Sequence, residues 1–268
     1  IVTTEGAAKI VTLENIIASA NMEFYAVFIK ESVYDATSDL SWFSFEDISW
    51  THPLDGSSRP GLRVSPKGNR ILSGKVTLPT EYNGVPVVSC GGFSGHNITH
   101  LFWKGTAQLL SYESQAFGSV ETLKHVEMPK TLVSIGESSF SACTNLALPD
   151  FAVETPNLEY IGNYAYSGGG YSASGGITLN IPSSVKYLGY GSFSYMRKIG
   201  NSGHVFGQVN IGSEGSPSQL VEIGAAENFE TNTGRTQGNL TTYGLDSALQ
   251  NVISTWWAGY FKGTITHK

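Results

Sequence analysis

Cysteine, histidine and paired carboxylates are the first side chains to weigh, because nucleophilic, metal and acid–base chemistry is built from them. Cys143 with His125 could form a thiol–imidazole nucleophile, which needs a base or a cation beside the sulfur. Cysteine is, however, among the most buried residue types, so a core thiol is the stronger reading. His96 and His100 stand four apart, the spacing that aligns two metal ligands on a helix. Their Gly-rich and β-branched surroundings argue against a helix, leaving a surface pair. Gly92-Phe93-Ser94-Gly95-His96 approaches the Gly-x-Ser-x-Gly elbow and fails at its last place. Glu127 and Glu154 could pair as acid and base, but nothing in the sequence confines them to a pocket. Phosphate-loop and calcium-loop patterns are missing. The expectation is a protein that is not an enzyme and takes no cofactor or metal.

Composition narrows the class further. The 268 residues are 40% hydrophobic and only 14% charged, with 31 glycines; a charged share near ~25% is ordinary. Ser, Thr, Asn and Gly supply the polarity, as suits a strand-and-turn protein. The net charge of −6 argues against a nucleic-acid partner, since phosphate binding needs clustered Lys and Arg. No run approaches the ~20 apolar residues of a membrane span. The sequons at Asn97 and Asn239 are permissive for glycosylation only in a eukaryotic secretory setting. A start at Ile1, without Met or signal peptide, leads one to expect a processed or excised piece.

A repeat organises the chain. Leu132–Phe140 (LVSIGESSF), Leu158–Tyr166 (LEYIGNYAY) and Val185–Phe193 (VKYLGYGSF) share one pattern. Leu109–Phe117 fits with Tyr112 in the aliphatic place, Leu220–Phe229 with one insertion, and Val87–Phe93 is shortened. The closing aromatics fall at 93, 117, 140, 166, 193 and 229, steps of 24, 23, 26, 27 and 36 residues; all but the last lie in the ~20–29-residue window of leucine-rich repeats. Upstream of most copies stands a strand signature in which two apolar residues flank a polar one. It reads Val76-Thr77-Leu78-Pro79, Val126-Glu127-Met128-Pro129, Val153-Glu154-Thr155-Pro156, Leu179-Asn180-Ile181-Pro182 and Val209-Asn210-Ile211-Gly212. Proline lacks an amide to donate and turns the chain outward. One such unit cannot bury its apolar side alone; stacked neighbours make a continuous core.

Met128-Pro129 through Phe140-Ser-Ala-Cys143-Thr-Asn-Leu146 resembles the BspA-like, or treponemal-type, leucine-rich repeats nearly end to end, and Ile181-Pro182 through Phe193 resembles them almost as closely. The resemblance covers about residues 71–230. It departs at Cys90, at Tyr112-Glu113, at Tyr166 and at Thr155 before Pro156. It implies an α+β repeat protein: a curved, right-handed leucine-rich-repeat solenoid of short parallel strands, displayed on bacteria or some protists in adhesive or ligand-binding roles. Similar repeats also occur in phage proteins. Cys143 then occupies the position of a small buried cysteine, and Cys90 that of a core aliphatic. With ~5 Å per coil, two coils separate these sulfurs by more than a disulfide can span, so free thiols are expected.

The ends lack the repeat. Residues 1–66 hold nine acidic against four basic side chains, with a helix predicted over Leu13–Ala20, a strand over Phe24–Ile29 and alternating aromatics over Leu40–Trp50. They read as an N-terminal cap or small module, residues 67–235 as the repeats, and 236–268 as a C-terminal cap. In the last, Leu245, Leu249, Val252, Ile253 and Trp256 mark an amphipathic helix and Tyr260–Thr266 a strand. If Val126 and Met128 face the core, the residues between and beside such positions face outward. That register gives a ladder of candidate ligand-binding residues: Lys75 and Thr77, His100 and Phe102, His125 and Glu127, Glu154, Thr178 and Asn180, Gln208 and Asn210. The ladder mixes charge, amide and ring, which fits a protein or glycan ligand; a merely solvated face is the competing reading. The expected role is an extracellular or cell-surface adhesion or binding module. The alternative is a structural part of a virion or appendage, with neighbouring subunits as partners.

Overall fold

Glycine at the fifth place of the repeat explains how the coils stack. In this computed structural model, which describes residues 38–169, 177–196, 206–224, 238–257 and 263–268, a Cβ on Gly162 would meet the backbone N of Glu137 at 2.6 Å, and one on Gly189 the N of Asn163 at 2.5 Å. Gly136 and Gly224 meet Ser114 and Tyr190 in the same way. The glycines therefore serve close approach between successive coils. Glu113 breaks the rule and is accommodated because Gly91 lies in the preceding coil, directly beneath its side chain.

The segments preceding those glycines form one long sheet. It starts with an antiparallel hairpin, β1 (Phe43–Thr51) and β2 (Ser58–Pro66). It continues in parallel through Val85–Cys90, Ser111–Tyr112, Ser134–Ile135, Tyr160–Ile161, Tyr187–Leu188 and Glu222–Ile223, and Glu81–Tyr82 joins Val85–Cys90 antiparallel. The Pro-stopped strands make two shorter parallel ladders. The first is Ser73–Pro79, Asn97–Lys104 and His125–Val126. The second is Ile177–Ile181, Phe206–Ile211, Asn239–Thr242 and Ile265–His267.

Between the sheets runs a spine of rings. Phe93, Phe117, Phe140, Tyr166 and Phe193 stack at centroid spacings of 5.0, 5.4, 5.0 and 5.6 Å, close to the ~4.8 Å separation of neighbouring strands. Each is fully buried. Phe229, the sixth aromatic of the pattern, lies outside the described residues, as do the helix and strand expected before residue 30. Hairpin residues Phe43, Leu62 and Val64 share this core.

Two expectations need correction. Val153-Glu154-Thr155-Pro156 is not a strand: Phe151–Glu154 is a short helix, with Thr155 bonded back to the Phe151 carbonyl through both its N–H and its Oγ1. The strand side is continued instead by Leu146-Ala147-Leu148-Pro149, where Ala147 N–H donates to the Lys124 carbonyl. The helix drives Phe151 into the core, edge-on to Tyr166 and Phe193. At the C-terminus the amphipathic segment is helical over Ser247–Val252 and turns to a wider π-helical form over Ile253–Trp257, and the strand after it is Ile265–His267.

Candidate functional site: the two strand-side ladders

Parallel pairing brings most of the candidate residues into rows. In the first ladder Lys75 pairs with His100 and His100 with His125; beside them Thr77 pairs with Phe102. Glu127 N–H donates to the Leu101 carbonyl, which extends the pairing by one residue. His100 and Phe102 lie in near-parallel planes with centroids 6.0 Å apart, and His125 is tilted against both, at 6.3 and 5.3 Å. Three rings from adjacent strands thus form one half-buried cluster.

Charge divides across that cluster. His100 and His125 are both held below the usual imidazole range by burial, His100 further by Lys75, His125 and Lys124. The rings are neutral at pH 7 and able both to donate and to accept. Glu127 Oε2 accepts the N–H of Trp103 at 2.8 Å. Burial raises its pKa, that hydrogen bond opposes the rise, and Glu154 adds to it. Glu154 is likewise raised by burial and accepts the N–H of Asp150 at 3.0 Å. Glu154 therefore stands near Glu127, but on a helix rather than in a strand row. Thr77 does not offer itself to a ligand: it is 5% exposed, and its backbone N–H and C=O are engaged by Ser38.

The second ladder is an amide–hydroxyl surface. Thr178 pairs with Gln208, and Asn180 with Asn210. Asn210 Nδ2 donates to Asn180 Oδ1 at 2.8 Å, and Gln208 Nε2 donates to Asn210 Oδ1 at 2.9 Å and Thr241 Oγ1 at 3.1 Å. The rows continue to Asn239 and Thr241, then to Thr266. Asn239 and Thr241 were legible in principle, because Asn239-Leu240-Thr241-Thr242 repeats the alternating signature. The helix Phe151–Glu154 and the break at Pro149 separate the two ladders, so the single row expected from the sequence is two patches.

Other chemistry is accounted for by structure. Cys90 and Cys143 are free and buried. Cys143 Sγ donates to the Phe117 carbonyl, and burial pushes its pKa up to about 12, so it is no thiolate at neutral pH. His96 Nδ1 accepts the N–H of Leu72 at 3.2 Å. Among the described residues no three His, Cys, Asp or Glu side chains gather as metal ligands would. No described helix is long and apolar enough to cross a membrane.

Residues 87–203 match the model of the BspA type leucine rich repeat region, in six copies. Among solved structures the chain is similar to a leucine-rich repeat protein of T. pallidum, at 18% identity and a TM-score of 0.47, over 86% of this chain and 100% of that one. It is also similar to a leucine-rich repeat protein of Bacteroides ovatus ATCC 8483, at 14% identity and a TM-score of 0.28, over 88% and 77%. No curated protein matches it. The repeated Gly contacts, the ring spine and the family match converge: residues 87–203 are built of leucine-rich repeats of the BspA type.

Proposed function

We propose that this chain is a non-catalytic binding module, displayed outside or on the surface of a cell, that takes a protein or glycan ligand on its strand-side ladders. The carrying observation is the cluster of His100, Phe102 and His125, assembled from two strands and flanked by Lys75 on one side and Glu127 on the other. In-register pairing makes neighbours of these side chains; what favours a ligand is that the row so formed has half-buried rings and combines them with both signs of charge. The second ladder adds amides and hydroxyls suited to a neutral polar ligand. Residues 67–235 form a right-handed solenoid in this reading. The 1–66 and 236–268 segments close its ends, as a stack of coils requires.

Protein and glycan arrays probed with the full chain test this, alongside light scattering. Phe102→Ala with His125→Ala, and separately Gln208→Ala with Asn210→Ala, should abolish capture of a specific ligand while leaving the melting temperature within a few degrees. Capture unchanged in both variants would sink the assignment. A symmetric oligomer with no ligand would favour the assembly role, with contacts made by the ends.

A further inference from the structure

The outward face of the long sheet carries a second surface, independent of the strand-side ladders. Side chains pointing away from the core line up across coils as Ser111, Ser134, Tyr160, Tyr187 and Glu222. On the hairpin side, charge is matched within the chain: Arg63 Nε lies 2.8 Å from both carboxylate oxygens of Glu113, and Ser89 Oγ donates to the same group at 2.7 Å. At the far end it is not matched among the described residues. The Tyr160 and Tyr187 rings stack at 4.7 Å with planes 7° apart. Tyr164, 38% exposed, packs edge-on to Tyr190 at 5.3 Å, and Tyr187 reaches this second pair through Asn163, whose Oδ1 also accepts the Tyr190 N–H.

Two exposed carboxylates, Glu137 and Glu222, accompany the stacked pair and form no ion pair among the described residues. Both act on both phenols: after burial, the larger cause, their charges help raise the pKa of Tyr160 and Tyr187. The nearby cation, Lys186, is taken by Glu159 at 2.7 Å. Among the described residues, the stacked aromatic pair thus bears two negative charges with no cation paired to them.

We propose that this tyrosine–glutamate surface docks a partner protein through an arginine or lysine side chain. Ring faces attract guanidinium and ammonium groups, a carboxylate accepts from either, and tyrosine–arginine contacts are frequent anchors of protein interfaces. The chain makes the same contact internally, with Arg70 5.0 Å over Trp42 and Lys268 5.3 Å over Tyr243. A neutral glycan would leave Glu137 and Glu222 unmatched, and a polyanion would be repelled by them.

The test is an NMR titration of the full chain with an acetyl-Gly-Arg-Gly-Arg-Gly amide peptide and its citrulline counterpart, which keeps the shape and loses the charge. The arginine peptide should bind saturably and shift the Tyr160 and Tyr187 ring resonances. The citrulline peptide should bind about tenfold more weakly or worse, and Glu137→Gln with Glu222→Gln, or Tyr160→Leu with Tyr187→Leu, should weaken the arginine peptide by a similar factor. The glutamine variant keeps side-chain volume at exposed positions, so an unchanged melting temperature separates lost docking from misfolding. Equal binding of the two peptides, no saturable binding, or affinity untouched by the glutamine variant would overturn the proposal. So would a neutral oligosaccharide that displaces the peptide from the same rings. None of these outcomes bears on the strand-side ladders.

Discussion

Two tyrosines occupy positions where the repeat pattern calls for an apolar residue, and their hydroxyls meet opposite fates. Tyr112 replaces an aliphatic; its OH accepts from Trp103 Nε1 at 3.1 Å and donates to the Glu127 carbonyl at 2.6 Å, tying the long sheet to the first ladder across the core. Tyr166 replaces the spine phenylalanine, and its buried OH has no partner among the described residues. Removing a satisfied buried hydroxyl and removing an orphaned one have opposite signs. Tyr112→Phe should lower unfolding free energy by about 1–3 kcal/mol, whereas Tyr166→Phe should raise it by about 1 kcal/mol. Urea denaturation of both variants checks this; a loss of stability in Tyr166→Phe would mean that the hydroxyl is bonded.

At the scale of the element, the coil is set by two backbone demands. The tight glycines bring neighbouring coils together, and each turn passes through left-handed backbone at Gln115, Ser138, Tyr164 and Gly191, the same place in four successive coils. Only the first demand calls for glycine, in the coil itself or, at Glu113, in the coil before it; non-glycine residues meet the second in three coils of four, at a strain of roughly 1–2 kcal/mol each. Gly162→Ala should therefore destabilise by about 2 kcal/mol or more, because its Cβ strikes backbone that cannot move without unstacking two coils. Thermal melting monitored by circular dichroism reads this out, and an unchanged midpoint would show that the coils can spread.

Across the whole molecule, the hairpin does more than extend the sheet. Trp50, near the end of β1, buries itself with Val88 and Leu110 in a small second core on the outside of the coils. Two residues on, His52 Nδ1 accepts the N–H of Leu54 at 3.2 Å, which leaves Nε2 as donor to Glu159 at 3.2 Å. The hairpin thus clasps coils that are remote in sequence. Trp50→Ala should cost about 3–5 kcal/mol and raise hydrogen exchange in Phe43–Pro66 first, since stacked coils lose their ends before their middle. Uniform loss of protection along the chain would refute that order.

Much of this was written in local pattern. The aromatic steps fixed the spine, the Gly places fixed the coil contacts, and period-2 alternation fixed the strand rows from Lys75 to His125 and from Thr178 to Asn210. Such features depend on side-chain spacing along one coil, which a single sequence displays. What needed the tertiary structure depends on which coil lies next to which. Val153-Glu154-Thr155-Pro156 imitates the strand signature, but Leu146-Ala147-Leu148-Pro149 had already filled that place in the stack, and the extra residues became a helix that delivers Phe151 to the core. The burial of Thr77 under Ser38, the carboxylate of Glu113 over Gly91 and the pairing of Tyr160 with Tyr187 are likewise contacts between residues 22 to 39 apart. Sequence determined the coil; stacking decided which side chains of different coils share a surface.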